Sequence, residues 1–220
     1  MNQSEIEQAR FNMIEQQIRT WDVLDQRVLD VMNSVPREQF VPEHYRSLAF
    51  ADTSIPLGHE QVMMAPKLEG RLLQALAITA DDSILEIGTG SGYLSACLAR
   101  LGKHVTSIDI TADFTTAAAA KLEAQGISNV TLETFDAAEG IESEKRYDVI
   151  AVTGSLPLLQ QQFQKNLAVG GRLFIITGSL PIMEANLITR VDENHWSSEC
   201  LLETCIPPLL HAVRPQAFVF

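Results

Sequence analysis

Cysteine is scarce in this 220-residue chain: Cys97, Cys200 and Cys205 are an odd number with no paired spacing. That speaks against a cysteine-based metal site and fits reduced thiols in a cytosolic protein. The five histidines are scattered, so no metal is expected. Positive charge is also short, with 16 Lys and Arg against 28 Asp and Glu and a formal net charge of −12. Without a basic stripe, an electrostatic grip on nucleic acid is not expected. No apolar run approaches the ~20 residues needed to span a bilayer, so no membrane partner is expected. The polar, acidic start, Met1 to Gln8, lacks the basic-then-apolar form of a signal peptide.

What is present is ordered punctuation. Ser4-Glu5-Ile6-Glu7 has the form of a capping box, followed by Ile6, Met13, Ile14 and Ile18 at helical spacing. A second helix should start at Asp25, bury Val28, Leu29 and Met32, and stop at Ser34-Val35 before Pro36. Residues 36–66 hold four prolines and little periodicity, which predicts an ordered loop region. Pro66 opens a third helix with Leu68, Leu72, Leu73 and Leu76 as its buried stripe.

From residue 83 strands and helices alternate. Strands are predicted at 83–87, 104–109, 129–134 and 147–153, with helices at 91–101, 112–125 and 157–167 between and after them. Gly170-Gly171 should turn the chain into a strand at 172–177, and stretches at 186–191 and 198–205 read as an antiparallel pair at the sheet edge. The pattern predicts a doubly wound α/β sheet of seven mostly parallel strands with an N-terminal helical cap. It is read as one domain over 1–220, with 1–66 a substrate-side annex and 67–220 a cofactor-binding core.

Glu86-Ile87-Gly88-Thr89-Gly90-Ser91-Gly92-Tyr93 joins a strand to a helix, where glycines let backbone N–H groups approach a ligand. A dinucleotide fingerprint needs a sixth-position glycine, and Tyr93 stands there. Glu86, at the strand end, suits a cationic amino-acid ligand or its water shell, as in S-adenosylmethionine, better than a pyrophosphate. Asp109 ends the next strand, where it can accept ribose hydroxyls, each such bond worth roughly 1.5–3 kcal/mol. Asp136 follows the third strand and reads either as an acceptor for the adenine amino group or as an ordinary turn aspartate. The cofactor set is therefore Glu86, Gly88, Thr89, Gly90, Gly92, Asp109 and Asp136.

The chain resembles the protein-L-isoaspartate O-methyltransferase family over nearly its whole length. The likeness rests on Met13-Ile14-Glu15-Gln16-Gln17-Ile18-Arg19, Val35-Pro36-Arg37-Glu38-Gln39-Phe40-Val41-Pro42, Ile55-Pro56-Leu57-Gly58, the Glu86–Tyr93 turn, Tyr147-Asp148-Val149-Ile150 and Gly170-Gly171-Arg172-Leu173. The turn is common to many methyltransferases; the 35–42 segment joined to it is far more specific. The resemblance implies an S-adenosylmethionine-dependent O-methyltransferase that repairs damaged proteins by methylating the free α-carboxylate of L-isoaspartyl residues. A carboxylate with a pKa near ~4 is already ionised at neutral pH and needs no general base.

The family usually presents a hydroxyl-bearing Thr-Ile-Ser segment before a proline. Aligned on Pro66, this chain has Val62 at the threonine position and Met64 at the serine position, so both hydroxyls are absent and no catalytic residue is assigned. Gln61, Val62 and Met64 are the substrate-loop candidates, with Gln61 the polar survivor. Met63-Met64 reads equally as packing filler or as an altered pocket. The glycines that usually flank the adenine-side acid are missing around Phe135-Asp136-Ala137. His59 and Glu60 read as solvated loop residues and Trp21 as a helix anchor. Alternatives are a less polar methyl acceptor, or a cofactor-binding interaction protein without turnover.

Overall fold

The computed structural model describes residues 2–215. Helix α1 (Gln3–Met13) is capped by Asn2, whose side chain accepts from the Glu5 N–H at 2.9 Å, while the Glu5 carboxylate accepts from the Asn2 N–H at 2.8 Å. The capping box is therefore Asn2 with Glu5 rather than Ser4 with Glu7; both pairs fit the spacing, and asparagine caps as well as serine. The rod continues through a π turn (Ile14–Ile18) and a 3-10 turn (Arg19–Trp21), ending where Asp22 adopts φ +58°.

Helix α2 (Gln26–Ser34) starts after its Asp25 cap, buries Val28, Leu29 and Met32, and stops before Pro36, as expected. The next stretch is more structured than the predicted loop. Two 3-10 turns (Arg37–Gln39 and Glu43–Leu48) lead into a hairpin of β1 (Ile55–Gly58) and β2 (Gln61–Met63). His59 and Glu60, at φ +50° and +59°, make its tight turn. Strands this short carry no readable period. Helix α3 (Pro66–Leu76) opens on its proline and buries all four predicted leucines.

The main sheet is built from β3 (Ser83–Ile87), β4 (His104–Asp109), β5 (Val130–Thr134), β6 (Tyr147–Leu156), β7 (Leu167–Ser179), β8 (Ile182–Arg190) and β9 (Trp196–Thr204). Their order is β5-β4-β3-β6-β7-β8-β9. The first five are parallel and β8 and β9 run antiparallel at the edge, as the tail pattern predicted. Strand order reverses between β3 and β6, the place where open α/β sheets hold ligands.

Alternation along the strands divides the core. Ile84, Val149, Ala151, Phe174 and Ile176 join the cluster that includes α3, α4 (Tyr93–Leu101) and the N-terminal helices. Leu85, Ile87, Ile150, Val152 and Ile175 join the other. Helix α5 (Ala112–Ala124) packs on β4 and β5.

Two further expectations are corrected. The helix over 157–167 contracts to α6 (Gln161–Lys165): Leu158 and Leu159 remain exposed, so the apolar run never forms one buried stripe. The turn at Gly170-Gly171 lies within β7, which absorbs it with Gly170 at φ +81°. Beside it, β6 bulges: Ala151 faces Phe174 but Ser155 faces Ile176, leaving Val152, Thr153 and Gly154 opposite a single residue. Among the described residues no helix is long and apolar enough to cross a membrane.

Candidate active site

A cleft of about 770 Å³, its open mouth included, lies at the carboxyl edge of the parallel strands. One wall is Gly88, Thr89, Gly90 and Asp109; another is Phe135 and Asp136; the hairpin residues Gln61, Val62 and Met64 complete it. The cofactor-side and substrate-side candidates thus meet in a single cavity, except Gly92 and Glu86.

The turn's shape follows from its glycines. Gly88 sits at φ +98°, its N–H donating to the Ile108 carbonyl at 2.7 Å, and an added Cβ would collide with the Thr153 hydroxyl. Gly92, at φ +83°, caps α4 and approaches so near α5 that a Cβ would stand 2.9 Å from that of Ala118. It lets the two elements close up, and it does not line the cleft. Asp109 locks the loop: one carboxylate oxygen accepts from the Gly90 N–H at 3.0 Å, the other from the Thr111 N–H at 2.9 Å. Each oxygen keeps a lone pair for a hydroxyl donor. Asp136 accepts from the Ala138 N–H at 3.1 Å and faces the His211 Nδ1 at 2.7 Å.

Glu86 lies behind this wall. It is fully buried on the α4 side of the sheet, its Oε2 accepting from the Ser95 hydroxyl and, at 2.6 Å, from the Ser107 hydroxyl, while Oε1 has no partner among the described residues. Burial pushes its carboxyl up to about 8, opposed by the two serine hydroxyls and reinforced by nearby Asp109 and Glu69. Such a group binds its proton in the folded chain while the unfolded carboxyl, with its ordinary value of 4.5, has lost it. The stability it lends is therefore full below about pH 4.5 and is lost as pH rises through about 8. Glu86→Gln should flatten the fall in stability between about pH 5 and 8 by about 1.4 kcal/mol per pH unit. Denaturant melts of the cofactor-free chain at pH 5, 6.5 and 8 check this; parallel slopes for both proteins would refute it.

The hairpin is held by a side chain that sequence reading left unassigned. Arg37, fully buried, donates to the Ala49 carbonyl at 2.9 Å, to the Met64 carbonyl at 2.7 Å and to the Glu69 carboxylate. Its guanidinium carbon lies 4.8 Å from the centre of the Tyr93 ring. Burial pushes the Glu69 carboxyl up, against the pull of Arg37. Lys121 adds a second tie, donating to the Phe40 carbonyl at 2.9 Å and the Ser91 carbonyl at 3.2 Å. The Val35–Pro42 motif is thus the brace between hairpin, α3 and glycine turn; its buried arginine was the available signal.

Gln61 donates to the Pro208 carbonyl at 3.3 Å, which brings in a second unassigned element, residues 206–212. Val62 is half-buried and Met64 buried, both on the cleft wall. Among the described residues no cluster of three or more His, Cys, Asp or Glu is placed to hold a metal.

The residues fit S-adenosylmethionine: an open glycine backbone, carboxylates ending β4 and following β5, and apolar faces from Ile108, Phe114 and Phe135. A doubly wound sheet with this turn and this cleft at its switch point defines an S-adenosylmethionine-dependent methyltransferase. The chain matches the protein-L-isoaspartate(D-aspartate) O-methyltransferase family over residues 8–207, and it belongs to that family. A protein-L-isoaspartate O-methyltransferase of Rhodopseudomonas palustris is 37% identical over 201 residues, covering 91% of this chain and 92% of that one. One from Protochlamydia amoebophila is 37% identical over 199 residues, covering 90% and 95%. A Plasmodium falciparum protein-L-isoaspartate O-methyltransferase, solved with S-adenosyl-L-homocysteine, superposes with a TM-score of 0.77 over 91% of this chain and 97% of that chain. At 20% identity it attests the fold.

Proposed function

We propose that this chain methylates the free carboxylate of L-isoaspartyl residues in damaged proteins, with residues 1–66 supplying the substrate side and 67–220 the cofactor side. The observation that carries the reading is the continuity of the cleft from the Gly88–Gly90 turn to the Gln61–Met64 backbone, in a member of this family. When bound, the cofactor supplies an electrophilic sulfonium methyl group.

The chain's residues hold and orient. The glycine turn, with Thr89, receives the amino-acid portion along its backbone, Asp109 takes the ribose hydroxyls and Asp136 the amino group of the base. Glu86 stiffens the turn from behind through Ser107, whose hydroxyl lies 2.7 Å from that of Thr89. Because the acceptor carboxylate is already ionised, the site needs alignment and exclusion of water, which together contribute about 7–11 kcal/mol. Gln61 has one amide hydrogen on the Pro208 carbonyl and a second free to donate. A net charge of −12 and three free thiols support a cytoplasmic enzyme acting on protein rather than nucleic acid.

Val62 and Met64 leave the acceptor fewer donors than the family pattern gives. Methyl transfer to an isoaspartyl peptide, with the aspartyl peptide as blank, tests the activity. The double variant Val62→Thr, Met64→Ser should raise kcat/KM for that peptide about tenfold, the worth of one hydrogen bond to a charged group. An unchanged value would mean that the lost hydroxyls do not matter here. The apolar wall of Val62, Met63 and Met64 favours a second reading, a less polar acceptor; wild-type turnover of such a compound but of no isoaspartyl peptide would establish it.

A further inference from the structure

One edge of the cleft is lined by Leu209 and Leu210, from a segment to which no role has been given. Residues 206–212 run over the β6 bulge and are tied there by Ser155 three times: its N–H donates to the Pro207 carbonyl at 3.0 Å, its hydroxyl to the Ile206 carbonyl at 3.0 Å, and its carbonyl accepts from the Leu209 N–H at 2.9 Å. Leu209 sits against Gly154, where a Cβ would come within 2.6 Å of it, and beside Gly88. Gln61 of the hairpin reaches the same segment at Pro208. Past these anchors the chain turns, Ala212 donating to the Leu209 carbonyl at 3.2 Å, and presents His211 to Asp136.

Facing a carboxylate at 2.7 Å, the His211 Nδ1 carries a proton and donates it. The imidazole is 68% exposed, so this contact is not a by-product of core packing. His211 also holds φ +62°, a left-handed conformation that few non-glycine residues adopt, which the anchored segment imposes. Asp136 itself is 44% exposed and follows a strand end without the flanking glycines. Its only other side-chain bond among the described residues is the one from the Ala138 N–H to Oδ1. Two donors, one on each oxygen, fix the plane of the carboxylate; one donor leaves it free to swing.

We propose that His211 is a positioning residue for base recognition: it sets the Asp136 carboxylate so that its remaining lone pairs meet the exocyclic amino group of a purine. This rests on the proposed role of Asp136 in the cofactor site. It gives the segment 206–212 a part in selecting adenine, and it puts the determinant 75 residues away from the acid it serves.

Isothermal titration of S-adenosylhomocysteine and of S-inosylhomocysteine, whose base carries a carbonyl in place of the amino group, tests the proposal. Wild type should bind the adenine compound at least tenfold more tightly. His211→Ala should lose most of that ratio, weakening the adenine compound about tenfold and the hypoxanthine compound little, with an unchanged thermal midpoint. His211→Asn, whose amide donates from a similar reach and tolerates left-handed backbone, should keep the ratio. Equal weakening of both compounds by the alanine variant, no weakening, or loss of the ratio in the asparagine variant would each overturn it. Failure of wild type to bind either compound would instead overturn the cofactor site itself, and this inference with it.

Discussion

Gly88→Ala is expected to cost the chain its cofactor: affinity for S-adenosylhomocysteine should fall by about two orders of magnitude, with about 2–4 kcal/mol of stability lost as well. Two effects combine. The backbone at φ +98° lies where an L side chain is strained, by roughly 1–3 kcal/mol. The new methyl group also meets the Thr153 hydroxyl, a β-branched side chain already bonded to the Gly88 carbonyl at 2.7 Å. Relief of either strain shifts the turn proposed to receive the ligand. Calorimetric titration reads the affinity and urea denaturation the stability. Adding Thr153→Ala should recover the packing share of the lost stability but not the backbone share. A single variant that binds like wild type would show that the turn is more pliant than its geometry indicates.

Arg37→Met should lower stability by about 3–5 kcal/mol, the range for breaking a buried ion pair from one side. It leaves the Glu69 carboxylate without its counter-ion and the Ala49 and Met64 carbonyls without donors. The loss should be smaller at pH 5 than at pH 8, because a protonated Glu69 is no longer an uncompensated charge. Adding Glu69→Gln should restore part of it at pH 8. Since the Met64 carbonyl is released, KM for a peptide substrate should rise more than Kd for S-adenosylhomocysteine. Urea denaturation at both pH values and steady-state kinetics separate these outcomes; a loss independent of pH would count against the ion pair as its cause.

The parts of the fold legible in the sequence are those with local signals. Strands 83–87 and 104–109 were bounded correctly because each is a buried run closed by turn residues. Pro66 marked the start of α3 and Pro36 the end of α2. The contracted α6 shows the limit, since Leu158 and Leu159 look the same on paper whether buried or exposed.

On the cleft wall, Gly88 and Gly90 were legible because the turn is one short segment with a distinctive spacing, and Asp109 because it ends the next strand. Glu86 was visible as an acid at a strand end, but its face depended on strand parity, which sets it with Ile84 rather than Ile87. Arg37 and His211 work through partners up to 32 and 75 residues away, and no period connects such positions.

The brace at Arg37 grips the hairpin by the Met64 carbonyl and not by its side chain. The loop's position is therefore written in main-chain atoms that every residue possesses. Exchanging the half-buried side chain at 62 leaves that grip in place, whereas Met64 also packs in the core and its replacement carries a packing cost. In engineering terms the hairpin is a face on a rigid mount: a library confined to the half-buried positions 61 and 62 should leave stability nearly intact, whereas truncating the buried Met63 or Met64 should cost about 2–5 kcal/mol.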